Sequence, residues 1–292
     1  MFKYEDAFAR NLGWITAEEQ QALRHKKVAI AGLGGVGGQH ALTLARMGVG
    51  TFSISDFDRF DWPNFNRQAG AFVSTVGRPK IDVMRESVLD INPEAKIDSF
   101  PTGIDLSNLD QFLSEVDLYV DSLDFFALDI RRAIFEACRK RGIPSITAAP
   151  LGMGTALLAF LPGRMSFDDY FGLDGHAPAE QALRFLVGLA PGGLHARYLV
   201  DKSRVSLEAK EGPSTAMAIQ LCAGLACVQG VKLMLGRGGV DAAPWGMQFD
   251  AYTGRLKRTW VPGGHKNIVQ KVRLAIVRRM LRQHASNRRE NA

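Results

Sequence analysis

Residues 26–37 read KKVAIAGLGGVG, an apolar run of strand composition that breaks at once into four glycines within six positions. A strand that turns through glycines into a helix leaves backbone amides and a helix N-terminus open at the turn, where a phosphate can approach closely. A second strand signal, TFSIS at 51–55, ends in Asp56, and an acid at that point reaches the hydroxyls of a ribose. Residues 39–47 between them have the length and periodicity of a crossover helix, so the two strands are expected to be parallel.

The same alternation continues along the chain. A helix is expected over 80–91, a strand at 118–122, a helix over 129–140 ended by Gly142 and Pro144, and strands at 144–150 and 154–162. MQFDAYTGRLKRTWV at 247–261 reads as a hairpin turning at Thr253 and Gly254, and 215–235 as a long apolar helix. The expected fold is therefore α/β: a doubly wound, Rossmann-like, mostly parallel sheet with an added antiparallel region and a C-terminal helix.

Three units are expected. Residues 1–25 form a helical arm in which Thr16 and Glu19 make a capping box. Residues 26–262 form the nucleotide-binding domain. Residues 263–292 form a basic amphipathic helix and tail with Val269, Val272, Ile276 and Met280 on one stripe. Inside the domain, 163–212 reads as a long Gly- and Pro-punctuated loop with an aromatic cluster at Phe167, Tyr170 and Phe171, a length that suits a substrate or partner loop.

Composition narrows the setting. The N-terminal residues lack the order of a signal peptide, and the longest apolar runs are interrupted by Arg184, Gln220, Gln229 and Lys232, so a cytoplasmic protein is expected. Cys138, Cys222 and Cys227 form no C-x-x-C pair, which argues against a disulfide framework and against structural zinc. The net charge is +6, yet residues 265–292 hold eight Lys or Arg against one Glu, so the basicity belongs to the tail. A solvated helix face, RNA binding and weak attachment to an anionic membrane surface are all open for it.

After Asp56 comes a cluster that a nicotinamide dinucleotide would not need. Asp58, Asn64, Arg67, Gln68 and Lys80 would set two fixed cations beside a phosphate chain, an arrangement suited to phosphoryl or nucleotidyl transfer. An NAD-binding oxidoreductase with solvated surface cations is the alternative on these residues alone. Asp121 caps a helix or finishes a strand. His176 and His195 read as loop histidines, and all three cysteines as packed thiols.

Taken together, GLGGVG at 32–37, DFD at 56–58, N-x-x-R-Q at 64–68, VGRPK at 76–80, INP at 91–93 and D-x-x-D at 121–124 resemble the E1-like adenylyltransferase superfamily of ThiF, MoeB and HesA type. That superfamily includes ubiquitin-activating enzymes and the tRNA threonylcarbamoyladenosine dehydratase. The resemblance covers about 5–160, with further likeness at 213–262. It implies ATP and magnesium as cofactors and no zinc, with Gly32, Gly34, Gly35 and Gly37 along the phosphates and Asp56 on the ribose. It further implies that Asn64, Arg67 and Lys80 contact the triphosphate, that Asp124 binds magnesium, and that Arg10 reaches into a partner subunit of a homodimer.

Three departures stand out. Phe125 follows Asp124 where the family usually has Asn, the two C-x-x-C zinc pairs are absent, and Pro213 occupies the position where thioester-forming members carry cysteine. The activity implied is adenylation of a carboxylate with release of pyrophosphate. The carboxylate would sit on the C-terminus of a ubiquitin-like or sulfur-carrier protein, or on a small acid. A tRNA-modifying dehydratase and an inactive regulatory subunit of the same fold are the alternatives.

Overall fold

The computed structural model describes residues 1–206 and 212–290. In chain order these form α1 (Tyr4–Ala7), α2 (Ala17–Arg24), β1 (Lys27–Ala31), α3 (Gly35–Arg46), β2 (Thr51–Ser55), α4 (Lys80–Ile91), β3 (Lys96–Phe100), α5 (Leu109–Phe112) and β4 (Leu118–Asp121). There follow α6 (Leu128–Arg141), β5 (Ser145–Leu151), β6 (Gly154–Phe160), α7 (Phe167–Phe171), α8 (Pro178–Leu189), α9 (Ala216–Met234), β7 (Trp245–Asp250), β8 (Arg255–Trp260) and α10 (Ile268–Glu290). Short 3-10 turns join several of them.

The strands make one sheet in the order β3-β2-β1-β4-β5-β6-β7-β8. The first five are parallel and the last three antiparallel, as the sequence leads one to expect. Crossover helices cover both faces of the parallel part, so β1 and β4 are buried along their whole length. One core lies under α3, α4 and α9, with Val28, Ile30, Phe52, Leu118 and Ile146 at its centre. The other lies under α5 to α8.

Local chemistry fixes the element ends. Thr16 and Glu19 close the capping box at the start of α2. Three basic residues, Arg139 to Arg141, fill the last turn of α6, which stops at the left-handed Gly142. A Cβ on Gly230 would sit 2.7 Å from Leu118, so a glycine lets α9 lie close on the sheet. Helix α9 is long and apolar enough to cross a membrane, but Cys222, Ala223, Ala226 and Cys227 are buried against β4, β5 and β6.

Four expectations change. Strand β3 was not foreseen, because KIDSF is largely exposed at the sheet edge and carries little apolar signal. The crossover helix starts at Gly35, four residues early, since the glycines themselves form its first turn. Segment 163–212 is not structureless: Ser166 caps α7 and Pro178 opens α8. Its aromatics are core, with Phe167 stacked 4.4 Å from Phe135 and Phe171 4.9 Å from Phe185; residues 207–211 lie outside the described residues. The C-terminal helix runs from Ile268 to Glu290, and Leu274, Val277 and Leu281 pack it on Leu183 and Val187 of α8. The stripe of Val269, Val272, Ile276 and Met280 faces outward.

Candidate nucleotide site

Parallel strands end together, so the loops after β1, β2, β4 and β5 meet along the carboxyl edge of the sheet, where open α/β folds bind ligands. The glycine loop follows β1. Its four expected phosphate contacts divide into two kinds. Gly32 has φ +88° and lies so near Ser122 that a Cβ would reach its carbonyl at 2.4 Å, while a Cβ on Gly37 would strike the Gly32 carbonyl at 1.8 Å. These two glycines let backbone meet backbone. Gly34 and Gly35 have side chains as their nearest neighbours, Gln68 for Gly34 and Ile219 and Arg67 for Gly35, at the N-terminus of α3.

Asp56 is buried and holds the loop: its carboxylate accepts from the Leu33 N–H at 2.7 Å and from the Asp58 N–H at 2.8 Å. Burial raises its pKa despite those bonds and nearby Lys80. Two acceptor directions remain for ribose hydroxyls. Lys80 opens α4 with a buried side chain whose Nζ lies 3.0 Å from Asp58, itself more than half exposed. The buried ammonium thus has one solvent-facing carboxylate for company.

Arg67 and Gln68 lie in the turn that begins at Asp61. Asn64 Oδ1 accepts from the Asp61 N–H, which makes this side chain a local cap, and Arg67 Nη1 donates to the Pro63 carbonyl and to Asn66 Oδ1. Gln68 is buried, and among the described residues its Oε1 has no hydrogen-bond partner. Ser122 Oγ, beside Gly37, is likewise buried and unpartnered. Two orphaned polar atoms within a few ångströms of the glycine loop suit a polar ligand there. Asn66, which sequence reasoning passed over, donates to the Ser214 carbonyl and ties the turn to the entrance of α9.

The loop after β4 has a device that no motif announced. Asp121 is buried; its Oδ2 accepts from Arg131 Nε and from Thr147 Oγ1, both at 2.8 Å, and Tyr119 donates to Oδ1 at 3.2 Å. Arg131, equally buried, donates onward to the carbonyls of Leu123, Asp124 and Phe125 and stacks 4.7 Å over Phe185. A guanidinium forked between a buried carboxylate and three carbonyls clamps the loop. Asp121 finishes β4, as one of its two sequence readings had it, and also anchors this clamp. Its signal in the sequence was Arg131, ten residues on.

Asp124 rides on that loop, exposed, its Oδ1 accepting from the Phe126 N–H. Among the described residues no three His, Cys, Asp or Glu cluster as metal ligands. A lone exposed carboxylate fits magnesium of the kind that arrives with phosphates and keeps its waters. Phe125, where the family pattern has Asn, packs 5.0 Å from Phe126 and 5.2 Å from Phe185, so α8 covers this side.

Arg10 lies elsewhere. It is exposed on the 3-10 turn Ala9–Asn11, and its neighbours Tyr4 and Asn11 bond to the carbonyls of Gly48 and Arg46 at the far end of α3. The twelve residues of α3 separate that end from the glycine loop by about 18 Å.

The three thiols are free and buried. Cys138 and Cys222 are pushed up to about 12 by burial, and Cys227 is raised as well. Arg139 and Lys140 do not activate Cys138. His176 stays in a loop, whereas His195 is largely buried on a 3-10 turn, where burial lowers its pKa. Beside it the Tyr198 hydroxyl donates to Asp250 at 2.6 Å and accepts from the Met153 N–H at 2.7 Å, which pins this turn to the β5–β6 and β7–β8 turns.

With this geometry in view, the likenesses to known proteins are informative. The ThiF family model matches residues 8–268. The tRNA threonylcarbamoyladenosine dehydratase of Bacillus subtilis (strain 168) is 37% identical over 142 residues, 48% of this chain and 55% of that protein. The molybdopterin-synthase adenylyltransferase of Escherichia coli (strain K12) is 32% identical over 141 residues, 48% of this chain and 56% of that protein. The chain thus spans about half the length of these curated relatives. The E. coli dehydratase TcdA shares the fold at TM-score 0.58 and 20% identity over 80% of this chain and 95% of that one. E. coli MccB with ATP does so at 0.64 and 18%, over 87% and 70%.

Proposed function

The chain belongs to the ThiF family, and from that premise we propose that it is an ATP-dependent adenylyltransferase that activates a carboxylate. The observation that carries this reading is the gathering, along one sheet edge, of Gly34 and Gly35 at the N-terminus of α3, the buried ammonium of Lys80, the guanidinium of Arg67 and the exposed carboxylate of Asp124, whose backbone carbonyl Arg131 holds. In the reaction a carboxylate oxygen bonds to the α-phosphorus, the bond to the bridging oxygen breaks, and pyrophosphate leaves with that electron pair. Charge grows on the α-phosphate and the leaving group as this happens. Gly34 and Gly35 offer amides at a helix N-terminus, while Lys80 and Arg67 would leave Asp58 and Asn66 for the triphosphate oxygens.

Asp56 would hold the ribose and thereby fix where the α-phosphate falls. Asp58, Asn64 and Gln68 would complete the nucleotide contacts. Asp124 would hold magnesium, which when bound neutralises phosphate charge. The Arg131 clamp would set the backbone from which that carboxylate projects before any ligand arrives. Pyrophosphate exchange into ATP that depends on an added acid or carrier protein tests the reading; tight NAD binding with no ATP signal in calorimetry would sink it.

Because its arm is anchored about 18 Å from its own glycine loop, Arg10 would act in the site of a second copy. Mixed Arg10→Ala and Lys80→Ala proteins should recover activity, since one site of the mixed dimer keeps both residues. No recovery despite subunit exchange would count against it. Buried, unpaired thiols accord with a cytoplasmic setting. The partition into arm, nucleotide domain and tail remains our proposed division, with 163–212 as the segment nearest an incoming substrate.

The carboxylate would be borne by a ubiquitin-like or sulfur-carrier protein, or by tRNA; a sulfur-carrier protein and tRNA are named among the relatives. The absence of any Asp or Glu from 251–281, against eight Lys or Arg, favours the second.

A further inference from the structure

Helix α10 is seated by one side only. Leu274, Val277 and Leu281 pack on Leu183 and Val187 of α8, Gln270 is buried, and Arg278 pairs with Glu180 at 2.7 Å. The opposite side carries a second apolar stripe: Ile268 is 77% exposed, Val269 56%, Val272 53%, Ile276 54% and Met280 43%. At the angular step of an α-helix these five fill a sector about 120° wide. Lys271 borders the sector on one edge and Arg273 on the other, while Arg279 falls within it near its C-terminal end. Lys271 and Arg279 are exposed and, among the described residues, make no ion pair. No Asp or Glu occurs between 251 and 281, and the carboxylate bonded to α10 is Glu180, on the inner side.

An aliphatic ridge with cations along both edges narrows the occupant. RNA would meet the cations but leave the stripe in water, because none of the five side chains is aromatic and bases would have nothing there to stack on. A second copy laid stripe to stripe would set Lys271 and Arg279 among cations of the same helix, which is repulsive. A protein groove would find four β-branched aliphatics and a methionine, with no aromatic anchor of the sort that dominates protein interfaces. An anionic bilayer surface satisfies the whole arrangement. The stripe sinks to the acyl boundary, and the lysine and arginine stems lie along it with their charges among the headgroups.

We propose that the outer stripe of α10 rests the protein on an anionic lipid surface, with Ile268, Val269, Val272, Ile276 and Met280 as the inserted face and Lys271, Arg273 and Arg279 as the headgroup contacts. The helix lies on the bilayer and does not cross it, since its inner side stays committed to α8. This goes beyond the adenylation reading and does not rest on it. It draws on these three cations alone, so it holds whichever carrier brings the carboxylate.

The test uses the full chain without ATP, so that failure of adenylation leaves the outcome readable. Co-sedimentation is measured across salt concentrations with vesicles of phosphatidylglycerol and phosphatidylcholine in equal parts, and with phosphatidylcholine alone. Binding should be confined to the anionic vesicles and should fall with salt. Val272→Gln with Ile276→Gln should weaken it about tenfold or more. Lys271→Gln with Arg279→Gln should weaken it by a similar factor and flatten its dependence on salt. All four positions are exposed, so thermal unfolding of both variants should match the parent, which separates loss of contact from loss of fold. Four results would overturn the proposal: no binding to anionic vesicles; full binding by the Val272 and Ile276 variant, which would leave a basic surface contact only; self-association without lipid that this variant abolishes, which would give the stripe to a second copy; or binding of an RNA oligonucleotide that depends on Val272 and Ile276.

Discussion

The two ends of the sheet use the same strand geometry under opposite rules of cover. At the parallel end both faces of β1 and β4 are sealed by helices, and buried charge enters with a partner, as Asp121 does with Arg131. At the antiparallel end β7 and β8 are covered on one face, and on the other an aromatic row lies bare with one guanidinium, Arg258, over Trp245. A sealed sheet can commit buried charge to holding loops at its carboxyl edge. An open one can only offer surface. Precision of position and breadth of contact are thus segregated within one eight-stranded sheet.

Breaking the sealed end should cost most. Arg131→Leu leaves Asp121 buried without its counter-charge and frees three loop carbonyls, so a loss of about 3–5 kcal/mol in unfolding free energy is expected. Thermal or urea denaturation checks it; a variant as stable as the parent would show that Asp121 finds other partners. Lys80→Ala and Arg67→Ala should each lower substrate-dependent pyrophosphate exchange by about 10² or more with a folded protein. Near-normal exchange would remove that side chain from the proposed chemistry.

The thiols sharpen the contrast from within the sealed part. A thiol pushed up to about 12 is thiolate to only about one part in 10⁴ at pH 8. Alkylation of the folded protein should therefore be negligible there, and should rise only as pH climbs toward that value or as the chain unfolds. A variant with Ala or Ser at Cys138, Cys222 and Cys227 should still form adenylate, and a reducible enzyme adduct lost with any one of these changes would overturn that. Smallest of all, Arg258→Ala breaks an ion pair that is half exposed, and stability should change by less than about 1 kcal/mol. A larger loss would mean the open face is more tightly integrated than its exposure indicates.

Much of the sealed end was legible in the chain. Strands β1, β2, β4, β5 and β6 appear as short apolar runs because burial on both faces tolerates little else, and α4 was placed to the residue by Pro79 and Asn92 at its ends. The glycine loop, Asp56 and Lys80 were readable because their spacing matches a family pattern, although the bonds of Leu33 to Asp56 and of Lys80 to Asp58 each span more than twenty residues. Less legible were β3, with its polar edge pattern, and α8, whose apolar spacing is masked by flanking Gly and Pro.

What the sequence determined by itself was local: strand and helix periods, the capping box at Thr16, the fourfold glycine turn, and thus the fold class. Tertiary structure alone decided which face of α10 is buried, since both of its stripes are apolar and only the position of Leu183 and Val187 chooses Leu274 and Val277 over Val269 and Val272. It also decided that Gly32 and Gly37 serve packing while Gly34 and Gly35 stand nearest side chains, that Arg131 rather than a near neighbour completes Asp121, and that Arg10 lies a helix-length from its own loop. Each is a contact between residues whose separation is set by the path of the sheet. Periodicity reports how a segment meets its surroundings, and it carries no record of which distant residues those surroundings will be.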